Sequence, residues 1–263
     1  MILAPWRNLT LAFEPHPRFP SPTIAQAACE ITFNRNREIK LSTADLYKLF
    51  GTEFPEMQPV STVAVQIVMR DASQPQPPAT PPFVTPAPAF RFASPAGDRF
   101  VQISDVSFVY STTTTYPGWT IIKAAILELW GKVIPAIQVE AVTKIGLRYT
   151  NRIAKDEAHP NLGDWLQKSD YLPAALTHSR GHFQARIETS PGEDDLLLLT
   201  VANQEPVETA AYGAIIFDVD RMCTRSVAPS EVGEVLELLH EDVWNVFWSS
   251  RTPALEEKLK RKP

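Results

Sequence analysis

The chain contains only two cysteines and ten glycines, and both scarcities exclude classes of function. Cys29 and Cys223 lie too far apart for a disulfide framework, and apolar neighbours suggest buried free thiols. The sequence holds no glycine-rich phosphate loop and none of the common zinc-protease, paired-cysteine or serine-hydrolase motifs. Free thiols and an N-terminus unlike a signal peptide favour a cytoplasmic protein.

Long apolar runs are also absent. No stretch approaches the roughly 18 apolar residues that a membrane-spanning helix needs, so no membrane association is expected. The formal net charge of −5 provides no general attraction to a phosphate backbone, which makes nucleic-acid binding an unfavoured function. With 44% apolar and 21% charged residues in a chain of 263, the composition is that of a globular protein with a substantial core.

Proline, by contrast, is plentiful, and many of the 24 prolines lie between residues 73 and 89. Proline lacks a backbone donor and restricts φ, so this segment is predicted to be an extended loop between two strands. The alternative is a binding site for a partner that recognises proline-rich segments. Residues 253–263 are predicted to form a charged tail, of which residues 256–263 are a solvated end.

Apolar periodicity predicts two long helices. The first covers about 117–134 and ends at Pro135, and the second covers about 230–248 with Ser230 as its N-cap. Segments rich in β-branched and aromatic residues predict strands in most of the remainder. The predicted strands are 27–34, 63–70, 90–93, 99–104, 106–111, 142–153, 182–189, 196–202 and 214–220.

The order of these elements suggests an internal repeat. Each half begins with a strand, continues with a short helix opened by Ser42 or Asn161 and an Asp three residues later, and ends with a long helix. The predicted fold class is therefore α+β, with two similar halves that each form a curved antiparallel sheet gripping one long helix. The halves are predicted to span residues 22–138 and 139–252.

Several phrases resemble one family. They are the strand opening at Pro22-Thr-Ile-Ala, the helix start Tyr116-Pro-Gly-Trp119, the strand Ile145-Gly-Leu-Arg-Tyr-Thr-Asn-Arg-Ile153, the strand Ile216-Phe-Asp-Val-Asp220, and Leu239-His240. Over residues 22–250 the chain resembles a sporadically distributed family of uncharacterised bacterial and archaeal proteins of about this length. The resemblance implies no activity; the family's patchy distribution implies mobile, defence-linked or toxin–antitoxin gene neighbourhoods.

The most polar cluster in an apolar strand is Arg148-Tyr-Thr-Asn-Arg152. Period two places Arg148 and Arg152 on one face and Asn151 on the other. The two arginines could grip an anionic ligand, and Arg148, Asn151 and Arg152 are the candidate ligand-binding residues. The alternative is a structural ion network with Asp218 and Asp220.

Asp218 and Asp220 are themselves the candidate metal ligands, because residues two apart on a strand share a face and paired carboxylates can bind Mg²⁺. Such a site would support an enzymatic, phosphoryl-transfer or nuclease function. On the last helix, His240, Trp244 and Trp248 lie four apart and could line a pocket or an interface. Trp248, near the helix end, is the candidate interface residue.

These observations favour a non-enzymatic interaction protein that needs no cofactor and acts with an unidentified protein partner encoded nearby, in a defence or toxin–antitoxin module. A homodimer is a further arrangement to consider. The alternative function is a small anionic-ligand-binding protein with a cavity under the long helices, anchored by Arg148 or Arg152.

Overall fold

A computed structural model describes residues 16–36, 38–39, 42–61, 88–113, 115–178, 182–204 and 211–262. The strands within these ranges are β1 (Ile24–Arg35), β2 (Glu56–Ser61), β3 (Pro88–Ala93), β4 (Arg99–Ile103), β5 (Ser107–Thr112), β6 (Val139–Ala154), β7 (Phe183–Thr189), β8 (Asp195–Gln204) and β9 (Ala214–Cys223). The helices are α1 (Thr43–Phe50), α2 (Trp119–Ile137), α3 (Leu162–Trp165), α4 (Ala174–Thr177), α5 (Val232–Ser250) and α6 (Pro253–Lys260). The α+β class is thereby confirmed.

All nine strands belong to one antiparallel sheet, in the order β2-β3-β4-β5-β1-β6-β9-β8-β7. The prediction of a separate sheet in each half differs from this arrangement, because β1 pairs with β6 along most of its length and joins the two sets of strands. Strand β2 was not predicted. The strand predicted at 63–70 and most of the proline-rich loop at 73–89 lie outside the described residues, while Pro88 and Ala89 begin β3.

The two long helices bury the apolar stripes that their periodicity predicts. Ile126 and Trp130 of α2 and Leu236 and Leu239 of α5 are buried in one core with strand residues such as Leu147. Each such side chain contributes about 1.5–3 kcal/mol by leaving water. Across the described residues, no helix combines the length and the apolar character that would be needed to cross a membrane.

Two predicted helix boundaries are wrong. Pro135 lies inside α2, which continues to Ile137 and ends where Gln138 adopts a left-handed conformation with φ of 48°. A proline this close to the C-terminus removes only one helical hydrogen bond, so the last turn survives. Ser230 lies within a 3-10 turn rather than at the N-cap, and the carboxylate of Glu231 accepts from the backbone N–H of Ala228 at 3.1 Å.

Most of the charged tail predicted at 253–263 forms helix α6, and one face of that helix is buried. Thr252 caps α6 by accepting from the N–H of Leu255, and Leu255 and Leu259 are buried although most of their neighbours are charged. The two leucines are four residues apart and therefore share one face of the helix. The backbone N–H of Ser21 donates to the carbonyl of Leu259 at 3.1 Å, so α6 also holds the N-terminal segment against the fold.

Candidate functional site

A cavity of about 490 Å³ opens between the start of α2, the middle of α5, strand β6 and the N-terminal segment 16–24. Aromatic and imidazole rings form much of its wall. The rings that line it belong to His16, Phe19, Tyr116, Trp119, Tyr149, His240, Trp244 and Phe247. Cavities that bind small molecules commonly have volumes of about 300–1,000 Å³ and apolar walls with a few polar groups.

One wall is a stack of two rings. The indole of Trp119 and the imidazole of His240 lie parallel, with centroids 4.3 Å apart and an angle of 2° between their planes. Gly118 makes this placement possible, because it precedes α2 with φ of 101°, a conformation that glycine adopts without strain. The indole N–H of Trp119 donates to Glu237 at 2.7 Å, and the second oxygen of Glu237 accepts from Lys123 at 2.6 Å.

The floor of the cavity comes from β6. Tyr149 is almost fully buried, and its hydroxyl lies 3.4 Å from that of Tyr116, a long contact for two hydroxyl groups. Burial, as the largest cause, raises the pKa of both tyrosines, so both hydroxyls stay neutral. Asn151 lies two residues further along, donates to the carbonyl of Phe217 at 3.3 Å and accepts from the Thr23 hydroxyl at 2.9 Å.

The N-terminal segment supplies the opposite wall. His16 stacks on Trp244 with centroids 4.3 Å apart, and Phe19 lies 5.7 Å from Trp248. Nε2 of His16 is 2.8 Å from a carboxylate oxygen of Glu241, an ion-pair distance, although the two atoms do not form a well-aligned hydrogen bond. The residues before β1, together with α5, therefore form a part of the cavity that an isolated sheet and helix would leave open.

His240 differs electrostatically from the other lining residues. Only 8% of its surface is exposed, and it has no hydrogen-bond partner among the described residues. Burial lowers its pKa to about 3, and the neighbouring His16 and Lys123 add to the effect. At neutral pH the ring is therefore uncharged and retains one donor and one acceptor nitrogen.

The candidate ligand-binding residues lie on two sides of the sheet. Arg148 extends from the face opposite the cavity, where its Nε and Nη2 donate to Asp218 at 2.9 and 2.7 Å, and Thr150 donates to the same carboxylate at 2.9 Å. The predicted ion pair therefore forms. The side chain of Arg148 is nevertheless 52% exposed, so water reaches this ion pair. Arg152 shares the face of Arg148, and neither arginine lines the cavity.

The two candidate metal ligands share a face, as period two predicts, but only Asp218 takes part in the ion pair. Burial raises the pKa of Asp220 to about 6, a shift that Arg148 opposes and Asp218 reinforces. Within the described ranges, no three side chains of His, Cys, Asp or Glu are grouped so that they could hold a metal ion.

The candidate interface residue, Trp248, packs within its own chain. Its ring stacks on Trp244 at 4.9 Å, and the guanidinium carbon of Arg251 lies 3.2 Å from its centroid. His240 and Trp244, on the same side of α5, line the cavity. This agrees with the alternative that this side of the helix lines a pocket.

The sequence patterns did not connect His16, Tyr116, Trp119 or Tyr149 with a site. For Tyr116 and Trp119 the available signal was the phrase Tyr116-Pro-Gly-Trp119, in which a turn sets two aromatic side chains at the entrance to a helix. No local signal marks His16 or Tyr149. Comparison with known proteins assigns the chain to no family: no protein-family model matches the chain, and no curated protein sequence matches it.

Proposed function

We propose that the protein binds a small, mainly apolar molecule in the aromatic cavity between α2, α5 and β6. The observation that carries this proposal is the exposure of several aromatic rings to one cavity of about 490 Å³. His240 lines the same cavity and makes no side-chain hydrogen bond within the part of the chain that the structure describes. Side chains in a protein core normally pack without large voids, because unfilled volume costs stability. A space of this volume is therefore better explained as a binding cavity than as part of the core.

Binding fits the site better than catalysis. A general base works best when its pKa is near the operating pH, whereas His240, with a pKa near 3, is a weak base. The carboxylate of Glu237 is occupied by Trp119 and Lys123. The polar groups of the wall are therefore suited to orienting a ligand.

The test is a titration with N-phenyl-1-naphthylamine, a neutral probe whose fluorescence rises in apolar surroundings. Saturable emission at one site per chain is expected. Trp119→Ala and Trp244→Ala should each weaken the affinity about tenfold or more, because each removes one wall. Tyr47→Ala is the control, since Tyr47 is an exposed aromatic residue of α1 outside the cavity. Emission that never saturates, or that is unchanged in both folded tryptophan variants, would contradict the proposal.

A second candidate function is protein–protein interaction, and strand β7 favours it. Among the described strands, β7 is the last on its side of the sheet and pairs only with β8. Edge strands present backbone groups that can pair with another chain. The exposed side chains Arg186 and Glu188 carry opposite charges two residues apart.

This charge pattern suits a second copy of the chain. If two β7 strands pair antiparallel about Ile187, Arg186 of each copy faces Glu188 of the other, and opposite charges stabilise a cross-strand pair. Arg186→Glu and Glu188→Arg should each abolish a dimer in light-scattering chromatography, and a mixture of the two variants should restore it. A wild-type protein that is monomeric at tens of micromolar would rule out this homodimer.

We also propose that the halves 22–138 and 139–252 are similar in structure. From the central pair outward, the strands run β1-β5-β4-β3-β2 on one side and β6-β9-β8-β7 on the other. The first four positions correspond, β2 is an extra edge strand, and each half ends in a 19-residue helix. The cavity lies where the two long helices meet the sheet. An experimental structure should allow the two halves to be superimposed strand on strand, with β1 on β6 and β5 on β9, and halves that do not superimpose would contradict this proposal.

A further inference from the structure

We propose that the natural ligand of the cavity is a neutral aromatic molecule with one hydrogen-bonding group, which His240 and Tyr149 recognise. This inference rests on the proposed binding function and narrows it to a chemical class. The proposed ligand is neutral, unlike the anionic ligand that the sequence suggested. The charges, stacking surfaces and unused hydrogen-bonding groups of the cavity support this difference.

The charge pattern argues against a charged ligand. Both carboxylates in the wall already have a basic neighbour in the chain: Glu237 bonds to Lys123 at 2.6 Å, and Glu241 lies 2.8 Å from His16. Arg18 also lines the cavity, but it is an exposed residue, so water and salt weaken the attraction it offers to an anion. An ionic ligand would lose its hydration in the interior without gaining a buried ion pair.

The walls favour flat rings. Trp119 with His240 and His16 with Trp244 present stacked pairs, and Phe19 and Phe247 add further ring surface. Aromatic rings gain about 0.5–1.5 kcal/mol beyond area burial when they stack in an offset arrangement or meet edge to face. Such contacts discriminate in favour of a planar aromatic ligand over an aliphatic one of the same volume.

Two buried groups in the wall have unused hydrogen-bonding capacity. His240 has no hydrogen-bond partner in the described part of the chain, and the Tyr149 hydroxyl has only the 3.4 Å contact with Tyr116. The rings of Tyr149 and His240 are close neighbours, with centroids 5.9 Å apart. A polar group that faces a cavity and makes no strong hydrogen bond within the protein is free to bond a ligand, and such a bond contributes about 0.5–1.5 kcal/mol. A ligand hydroxyl between these two rings would satisfy both.

The experiment compares three probes of one ring system by calorimetry at pH 7: naphthalene, neutral 2-naphthol and anionic 2-naphthoate. We expect 2-naphthol to bind about fivefold more tightly than naphthalene, the ratio that one net hydrogen bond provides, and more tightly still than 2-naphthoate. His240→Phe keeps a ring for stacking but removes the hydrogen bond, so the naphthol-to-naphthalene ratio should fall to about one.

Tyr149→Phe provides a second variant if His240→Phe does not fold, and it should lower the ratio as well. Tyr110→Phe is the matched control, because Tyr110 is an equally buried tyrosine on β5 that does not line the cavity, and it should leave the ratio unchanged.

The possible results separate the two proposals. If 2-naphthoate binds most tightly, or if naphthol has no advantage over naphthalene in the wild type, the inference is overturned while the binding function stands. If N-phenyl-1-naphthylamine binds and none of the three smaller probes does, the inference also fails. If no probe binds, including the naphthylamine, the proposed function itself fails.

Discussion

The ring of Trp119 lies parallel to that of His240, 4.3 Å away and inclined by 2°, and this contact joins α2 to α5 at the edge of the cavity. The two residues are far apart in the chain, and the same cluster includes the hydrogen bond from Trp119 to Glu237, one turn before His240. The binding site and part of the contact between the long helices therefore depend on the same side chains.

The first prediction concerns acid stability and His240. The unfolded chain binds a proton at this residue near pH 6.5, whereas the folded chain binds it only near pH 3. Wild-type stability should therefore fall as the pH decreases from about 6.5 toward 3. His240→Gln should remove this contribution. As the pH falls, the free energy of unfolding of the variant should therefore rise relative to that of the wild type, by up to about 1.4 kcal/mol per pH unit.

Urea titrations at pH 7.5, 6, 5 and 4 measure this difference. Tyr110→Phe is the control, because a phenol does not titrate in the acid range. A difference between His240→Gln and the wild type that stays constant from pH 7.5 to 4 would show that His240 is not held neutral by the fold.

The contribution of Asp220 to stability should depend on pH in the opposite direction to that of His240. Its pKa in the folded chain, about 6, lies above the ordinary value of 3.8, so the folded state binds the proton more readily. This contribution to stability is present below about pH 4 and is lost as the pH rises through 6. Asp220→Asn should therefore stabilise the protein at pH 7.5, by on the order of 2 kcal/mol, and have little effect at pH 4.

Thermal unfolding at the two pH values tests this prediction. Asp218→Asn is the contrasting variant, because it removes the carboxylate that Arg148 and Thr150 bind and should destabilise at pH 7.5. A destabilised Asp220→Asn at pH 7.5 would contradict the assignment of Asp220 as an unfavourably buried carboxylate.

The ion pair between Arg148 and Asp218 should show energetic coupling. Arg148→Met leaves the almost fully buried Asp218 with Thr150 as its one remaining side-chain donor among the described residues, and we expect a loss of about 1–3 kcal/mol. The loss is smaller than for a fully buried pair, because half of the Arg148 side chain is in water. The double variant with Asp218→Val should lose less than the sum of the two single losses.

Chemical denaturation of the wild type, both single variants and the double variant gives the coupling energy. We expect at least about 0.5 kcal/mol. Additive losses would mean that the pair is formed but contributes nothing of its own to stability.

The last helix should contribute to stability rather than act as a dispensable tail. Leu255→Ala removes a fully buried side chain and should cost about 2–4 kcal/mol, measured by urea unfolding. Glu257→Ala on the exposed face of α6 is the control and should change stability by less than about 0.5 kcal/mol. Equal effects of the two substitutions would contradict the docking of α6.

Local patterns in the sequence determined much of the architecture. The period of the apolar residues in α2 and α5 located both helices to within a few residues, and Ser42 with Asp45 predicted the capping box that opens α1. Period two also separated Arg148 from Asn151, because neighbouring side chains on a strand must point to opposite faces. These features depend on residues close together in the chain.

Only the tertiary structure decided which face of each strand meets the helices, how the two sets of strands join, and where the cavity lies. Tyr149 and His240 have the residue types and spacing of an ordinary core, and nothing local distinguishes a ring that packs from a ring that lines a cavity. That distinction arises because the N-terminal segment, α2, β6 and α5 meet without filling the space between them. The volume that is left depends on the relative positions of these elements and not on any one segment.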